Sequence, residues 1–285
     1  DAKIALFQKE KYHHVRLTLA GAEAVSGRFT DPTEAEQAAA MCKGATVTCT
    51  SVTCEQKKEQ PPKLYDLTTL QREANRLFGY TAKQTLDYAQ SLYEKRLLTY
   101  PRTDSRHLTS DMAETASCVI HLAAKLPPFD KISNFYPLVE AMVSDKAVSD
   151  HHAIIPTLEI EKADITALPL GERELLLLIC CRLLCASASP YVYEAVTAAF
   201  DCGGHSFTAK GRRVLSEGWR EIDRIFRASL KEKPADGDGG TLPDFTEGQP
   251  FDGAEVSVTE HFTQPPKPYT EDTFLSAMEL SLIHI

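Results

Sequence analysis

The sequence predicts a mixed α+β, multidomain protein in which a β-rich domain carries an inserted, mainly helical domain. Three observations lead there. Segments rich in β-branched residues stand near both ends of the chain, at 11–56, 191–215 and 254–262. The stretch between the first two holds helix-start signals and apolar residues spaced three and four apart. The frame QPPK-x-Y occurs twice, at 60–65 and 264–269, each time before a capped helix start. Paired prolines lack the ladder donor and stiffen the chain, so they end strands. The two frames read as matched exits from the β-rich domain, with two unrelated linkers of common composition as the alternative. The expected bounds are 1–62 and 188–264 for the β-rich domain, 63–187 for the helical domain, and 265–285 for the start of another helical one.

Taken in order, YHHVRLTLAG and ATVTCTSVTCEQ alternate roughly and are β-branched, which predicts strands. Between them DPTEAEQAAAMCKG predicts a short helix, capped by Asp31 or Thr33 and ended by Gly44. Thr68-Thr69-Leu70-Gln71 fits a capping box, opening a helix through about Leu77 with Gly79 as its stop. Thr81-Ala82-Lys83-Gln84 is a second box, and Leu86, Ala89, Tyr93 and Leu97 would form its buried stripe. Further helices are expected around 111–125, 134–144 and 171–187. Strand character returns over 191–215, with Cys202-Gly203-Gly204-His205 at a hairpin turn. An acidic Gly/Pro/Asp loop from Pro234 to about Gly253 follows, then the strand AEVSVTEHF.

Composition narrows the function classes. Hydrophobic residues make up 43% and charged residues 25%, as in soluble globular proteins. No apolar run is long enough to span a bilayer, and DAKIALFQKEKYHH lacks the apolar stretch of a signal peptide. A cytoplasmic location without membrane contact is expected. The eight cysteines form no CxxC pair, which argues against a metal site and against a disulfide framework. Cys180, Cys181 and Cys185 fall in an apolar helical run, where cysteine acts as a small core residue. The net charge of −9 argues against a protein that merely coats nucleic acid. Residues 61–110 nevertheless hold eight Lys or Arg against five Asp or Glu, while 234–260 hold seven acids and no base.

The chemistry concentrates in QSLYEKRLLTYPRTDSRHL, residues 90–108. The residue before a proline is pushed to extended geometry, so a helix ends ahead of Tyr100-Pro101. In an extended run alternate side chains share a face, which groups Tyr100, Arg102, Asp104 and Arg106. A tyrosine hydroxyl with a pKa near ~10 is a poor nucleophile at neutral pH unless its proton is shared or its phenolate stabilised. A nearby guanidinium does the latter, and its fork also takes two oxygens of a phosphate. A phosphodiester is the substrate that suits this pairing. Ordinary packing is the competing explanation, since the chain has ten tyrosines. A second cluster, SDHHAIIPT at 149–157, places two histidines side by side. In an extended segment they face opposite ways, and one could contact a phosphate or protonate a leaving oxygen.

These residues resemble a known signature. Gln90-Ser91-Leu92-Tyr93, a spacer, and Leu98-Thr99-Tyr100-Pro101-Arg102-Thr103-Asp104 are similar to the active-site motif of type IA DNA topoisomerases. PRTDSR, DHHAIIPT, GRRVLSEGW at 211–219 and PPKPYTEDTFLSAME look like the bacterial topoisomerase III branch, and the likeness runs from about residue 8 to 279. The resemblance implies a β-rich arch, or gate, with the nucleophile in the helical domain. It implies that Tyr100 attacks DNA to give a 5′-phosphotyrosine link, that a second strand passes, and that the break is resealed. Arg102 and His151 are the implied catalytic partners of Tyr100. Thr103, Asp104, Arg106, Gln90 and His152 are expected to line the DNA. The family's magnesium belongs to acidic residues of a Toprim domain, which is not matched here, so no metal ligand is expected in this chain. The expected partners are single-stranded DNA and the family's other domains, Toprim and domain IV, around a monomer. The tail LSLIHI has no match in the family. On this reading the chain alone does not relax DNA. A DNA-binding module without chemistry, or a tyrosine recombinase or phosphodiesterase, are the alternatives.

Overall fold

The computed structural model describes residues 4, 6–133, 135–230, 240 and 242–283, with side chains described to 278. It has two compact units. The first comprises Asp1–Lys58, Val192–Ser216 and Ala235–Pro268; the second comprises Glu59–Tyr191, Glu217–Pro234 and Tyr269–Ile285. The acidic loop expected from Pro234 falls partly outside the described residues, as does the end of LSLIHI. The described part of that tail continues a helix.

The first unit is built on a seven-stranded sheet. Its strands are β1 (Lys11–Leu19), β2 (Ala22–Ser26), β3 (Val47–Glu59), β4 (Tyr191–Cys202), β5 (His205–Ser216), β6 (Pro250–Phe251) and β7 (Glu255–Phe262). Their order is β6-β3-β4-β5-β2-β1-β7. β1 runs antiparallel to both β2 and β7, and β4 runs antiparallel to β5 in register from Cys202↔His205. Gly203 and Gly204 form the two-residue turn between β4 and β5, with φ of 58° and 82°. Two successive positive φ values define the hairpin turn whose twist matches the strands, and glycine reaches it without a Cβ penalty. β2 was not expected from the sequence. It forms because Ala20 and Gly21 make a second such turn, with Ala20 at φ 48°, and alanine there gives no turn signal. Helix α1 (Pro32–Cys42) is capped by Asp31, whose carboxylate accepts from the Thr33 amide. It buries Ala35, Ala38 and Cys42 in one core with Val15, Leu17, Phe200 and Phe207.

The second unit is mainly helical. Its helices are α2 (Leu67–Phe78), α3 (Ala82–Glu94), α4 (Ala113–Ala123), α5 (Leu170–Ala186), α6 (Trp219–Ser229) and α7 (Glu271–Ile283). The first capping box sits upstream of the expected Thr68. Asp66 is the N-cap, and it and Thr69 exchange side chain to backbone bonds of 2.7 and 3.2 Å. Gly79 ends α2 at φ 72°, as expected. The Thr81–Gln84 box forms as the sequence predicts. The stripe of α3 is rotated from the expected one: Thr85, Ala89 and Leu92 are buried, while Tyr93 is exposed. The helix expected over 134–144 is a single 3₁₀ turn at Val139–Met142. Conversely, α6 arises where no helix was expected. It buries only Ile222 and Phe226, a narrow i,i+4 stripe among charges. Cys180, Cys181 and Cys185 are buried in the core of α5. Among the described residues no helix is long and apolar enough to cross a membrane.

Candidate active site

The strand that carries Tyr100 begins with a sharp chain reversal. Lys95 caps α3, and Arg96 then takes the left-handed conformation at φ 62°. The Leu97 amide donates back to the Leu92 carbonyl at 2.9 Å, and the Arg96 amide donates to Tyr93 at 2.8 Å. This pair closes the helix in a Schellman motif. A residue with a Cβ pays about 1 kcal/mol for that conformation. The Arg96 carbonyl accepts from the Thr157 hydroxyl.

From Leu97 onward the chain, bent at Thr99 and Pro101, is bonded at intervals to 151–157. The amides of Thr157, Thr99 and Ala153 respectively donate to Leu97, Ile155 and His107 carbonyls at 3.1, 3.0 and 2.9 Å. Leu98 and Pro156 form an antiparallel bridge. The Thr99 hydroxyl donates to the Ala153 carbonyl at 3.2 Å and accepts from the Ile155 amide at 3.0 Å. Burial then alternates with period two. Pro101, Thr103 and Ser105 are buried, whereas Tyr100, Arg102, Asp104 and Arg106 are half-buried or exposed. The inward hydroxyls serve the backbone. Thr103 Oγ1 donates to the His151 carbonyl at 2.8 Å and accepts from the Ser105 amide at 3.1 Å. Ser105 Oγ donates to the Ala147 carbonyl at 2.9 Å.

This sewing brings three rings together. The Tyr100 ring lies 4.4 Å from the His151 ring, tilted by 44°. On another side it meets Tyr93, at the end of α3, edge-on at 5.5 Å. Tyr93 was expected in the core, and its place one residue off the buried Thr85–Ala89–Leu92 stripe is the signal that it faces outward. His152 is half-buried, with Nδ1 2.8 Å from the Ala153 carbonyl. Arg102 and Asp104 are exposed, and among the described residues Arg102 has no ion-pair partner. Gln90, one turn before Tyr93, donates to the Glu94 carboxylate at 3.2 Å. Arg106 differs from the others: its Nε donates to the Leu64 carbonyl at 3.2 Å. His107 beside it is held below the ordinary imidazole range by burial and by the charges of Lys63 and Arg106.

Over residues 1–283 the sequence matches the family described as DNA topoisomerase. This chain belongs to that family. DNA topoisomerase 3 of Bacillus licheniformis is 39% identical over 228 residues, which are 78% of this chain and 31% of the relative. The Bacillus subtilis protein of the same name gives the same identity and coverage. That of Shouchella clausii is 36% identical over 265 residues, 90% of this chain and 35% of the relative. The chain thus spans about a third of the length of the curated relatives it matches. The full-length topoisomerase I of Thermotoga maritima has a similar fold, with a TM-score of 0.74 at 23% identity over 98% of this chain and 45% of that one. The resemblance to type IA enzymes of the topoisomerase III branch, drawn from the PRTDSR and DHHAIIPT segments, is borne out by these relatives, as is the mixed α+β fold. Among the described residues no group of three or more His, Cys, Asp or Glu side chains is placed to hold a metal ion.

Proposed function

We propose that this chain is the gate and nucleophile-bearing portion of a topoisomerase that cuts one DNA strand, passes another and reseals the cut. Tyr100 Oη attacks the phosphorus of a backbone phosphodiester. The P–O3′ bond breaks, the phenolic proton leaves, and the departing 3′ oxygen gains a proton to become a hydroxyl. The new 5′-phosphotyrosine ester keeps the bond energy, so the reverse attack by the 3′-hydroxyl reseals the strand without a nucleotide cofactor. The observation that carries this reading is the half-buried ring of Tyr100 4.4 Å from that of the exposed His151.

The residues divide the work. His151 stands beside the phenol and serves as a proton or hydrogen-bond donor toward the phosphate or the leaving oxygen. Arg102, two residues beyond Tyr100 and exposed, supplies the guanidinium fork for the non-bridging oxygens. Asp104, Arg106, Gln90 and His152 extend the contact along the strand, while Thr103 holds the His151 backbone. Magnesium, which the family resemblance assigns to a Toprim domain, has no ligand cluster among the described residues, and no step above passes through it. Single-stranded DNA and the Toprim and domain IV portions of the family are the partners, in a cytoplasmic monomer. Binding should weaken steeply with salt, as phosphate contacts do.

The test is a 3′-labelled single strand incubated with this chain, a separately supplied Toprim domain and magnesium, then resolved under denaturing conditions. Label should transfer to the protein and fail to transfer in Tyr100→Phe. An adduct that persists in Tyr100→Phe, or one that keeps a 5′ label instead, would overturn the assignment. The chain by itself is expected to leave negatively supercoiled plasmid unrelaxed.

A further inference from the structure

A pocket of about 360 Å³ opens in the helical unit between α2, α5 and α6, and of the residues assigned to DNA above only Arg106 lines it. Arg72, Arg76, Arg106, Arg182 and Arg227 line it. Facing them are only three carboxylates, those of Glu73, Asp223 and Asp272, which leaves a formal surplus of two positive charges. Glu73 takes most of the pairing. It accepts from Arg76 at 2.8 Å, from Arg227 at 3.4 Å, from Arg182, and from the Tyr65 hydroxyl at 2.6 Å. Arg72 is bonded to Asp272 at 2.8 Å and Arg227 to Asp223 at 2.7 Å.

Arg106 stands apart from this network. Its Nε is fixed on the Leu64 carbonyl, and the described residues give its terminal nitrogens no carboxylate partner. A guanidinium held by Nε at the wall of a cationic cavity presents two parallel donors, the arrangement that takes two phosphate oxygens. The volume is within the ~300–1,000 Å³ of small-molecule sites and far exceeds what a lone ion needs. Trp219 is among the residues that line the pocket; its indole N–H donates to the Glu59 carbonyl at 3.3 Å, and the Arg220 guanidinium lies 5.7 Å from its ring. A charged fork in a pocket that an indole also lines suits a phosphate that carries a planar base.

We propose that this pocket binds a nucleotide phosphate, with Arg106 gripping its oxygens and the base against Trp219. The proposal rests on the reading that this chain handles DNA and adds a non-covalent anchor to it. Arg106 lies six residues beyond Tyr100, and neither Tyr100 nor His151 lines the pocket, so the anchored phosphate is not the one attacked. A free nucleotide and a phosphate within a strand share this chemistry.

Trp219 is the only tryptophan of the chain, so its emission reads the pocket directly. The whole chain is titrated at constant ionic strength with thymidine 5′-monophosphate in one arm and a short oligothymidylate in the other. A saturable emission change in the first arm identifies a free nucleotide as ligand; a change in the second arm alone identifies a strand. Arg106→Gln should weaken the affinity about tenfold or more, the loss of one charge-assisted bond. If Arg106→Gln lowers the melting temperature, Arg76→Gln at the exposed rim replaces it, with a several-fold loss expected. A silent Trp219 in both arms, or an affinity unchanged by the substitution that folds, overturns the proposal. Strand binding seen by anisotropy while Trp219 stays silent would remove the pocket and leave the Tyr100 reading intact.

Discussion

Replacing Glu73 by glutamine removes the charge at the centre of the arginine cluster while keeping the side-chain shape. Only 12% of the Glu73 side chain and 15% of Arg182 are exposed. Burial pushes the Glu73 carboxyl up, but Arg182, the Tyr65 hydroxyl, Arg76 and Arg227 together outweigh it and hold it below the ordinary carboxylate value. Removing one member of a buried ion pair costs about 3–5 kcal/mol, because the other charge is left uncompensated. Arg182 retains the Lys63 carbonyl and the Tyr65 oxygen at 3.2 Å each, and Arg227 retains Asp223. The lower end of that range, about 3 kcal/mol, is therefore expected. Arg76 is half-exposed and adds little. In a unit of this size the loss corresponds to a fall in Tm of about 6–12 °C. Trp219 lies in the same unit, so its emission during urea or thermal unfolding follows the relevant transition. The pH dependence has a definite sign. A carboxyl whose folded value is depressed contributes fully above its unfolded value and loses that contribution as pH falls through the folded one. Wild type should thus lose stability below about pH 5 more steeply than Glu73→Gln. Adding Arg182→Met should recover much of the loss. A cost under about 1 kcal/mol, or parallel acid profiles for the two proteins, would refute this account of the cluster.

Two further outcomes follow from the same packing. Thr103→Val keeps the volume but leaves the buried Ser105 amide and the His151 carbonyl without that hydroxyl; a loss of about 2 kcal/mol is expected by urea titration. Brief alkylation of the native protein should modify Cys54 and Cys118, and mass spectrometry should find the other six cysteines labelled only after unfolding. Burial raises Cys180 to about 12, which suppresses the thiolate that reacts.

Much of the local structure is legible from neighbouring residues. Thr81 and Gln84 announce α3, Gly203-Gly204 announces a hairpin, and Tyr100-Pro101 announces a non-helical run, whose burial has period two. Errors arise where two local signals compete or one is missing. Asp66 and Thr68 are both competent caps, and the turn that buries Leu70 and Ala74 against the unit's core selects Asp66. The stripe of α3 is misplaced by one residue because Leu86 and Tyr93 are apolar enough to suggest a core face, yet Thr85 is the residue buried, its hydroxyl bonded to the Thr81 carbonyl at 3.0 Å.

By itself the sequence determines the conformations that depend on residues a few positions apart: caps, turns, and the alternation that buries Pro101, Thr103 and Ser105 between Tyr100, Arg102 and Asp104. Only the tertiary structure decides that His151 meets Tyr100, because that contact depends on backbone hydrogen bonds between 97–107 and 153–157. The same holds for the arginine pocket. Its charges come from separate helices and from the strand at Arg106, and each looks like an ordinary surface arginine until folding turns them toward one cavity. Hydrogen-bond register and charge convergence are properties of distant segments in contact, and a linear pattern carries no record of which segments those will be.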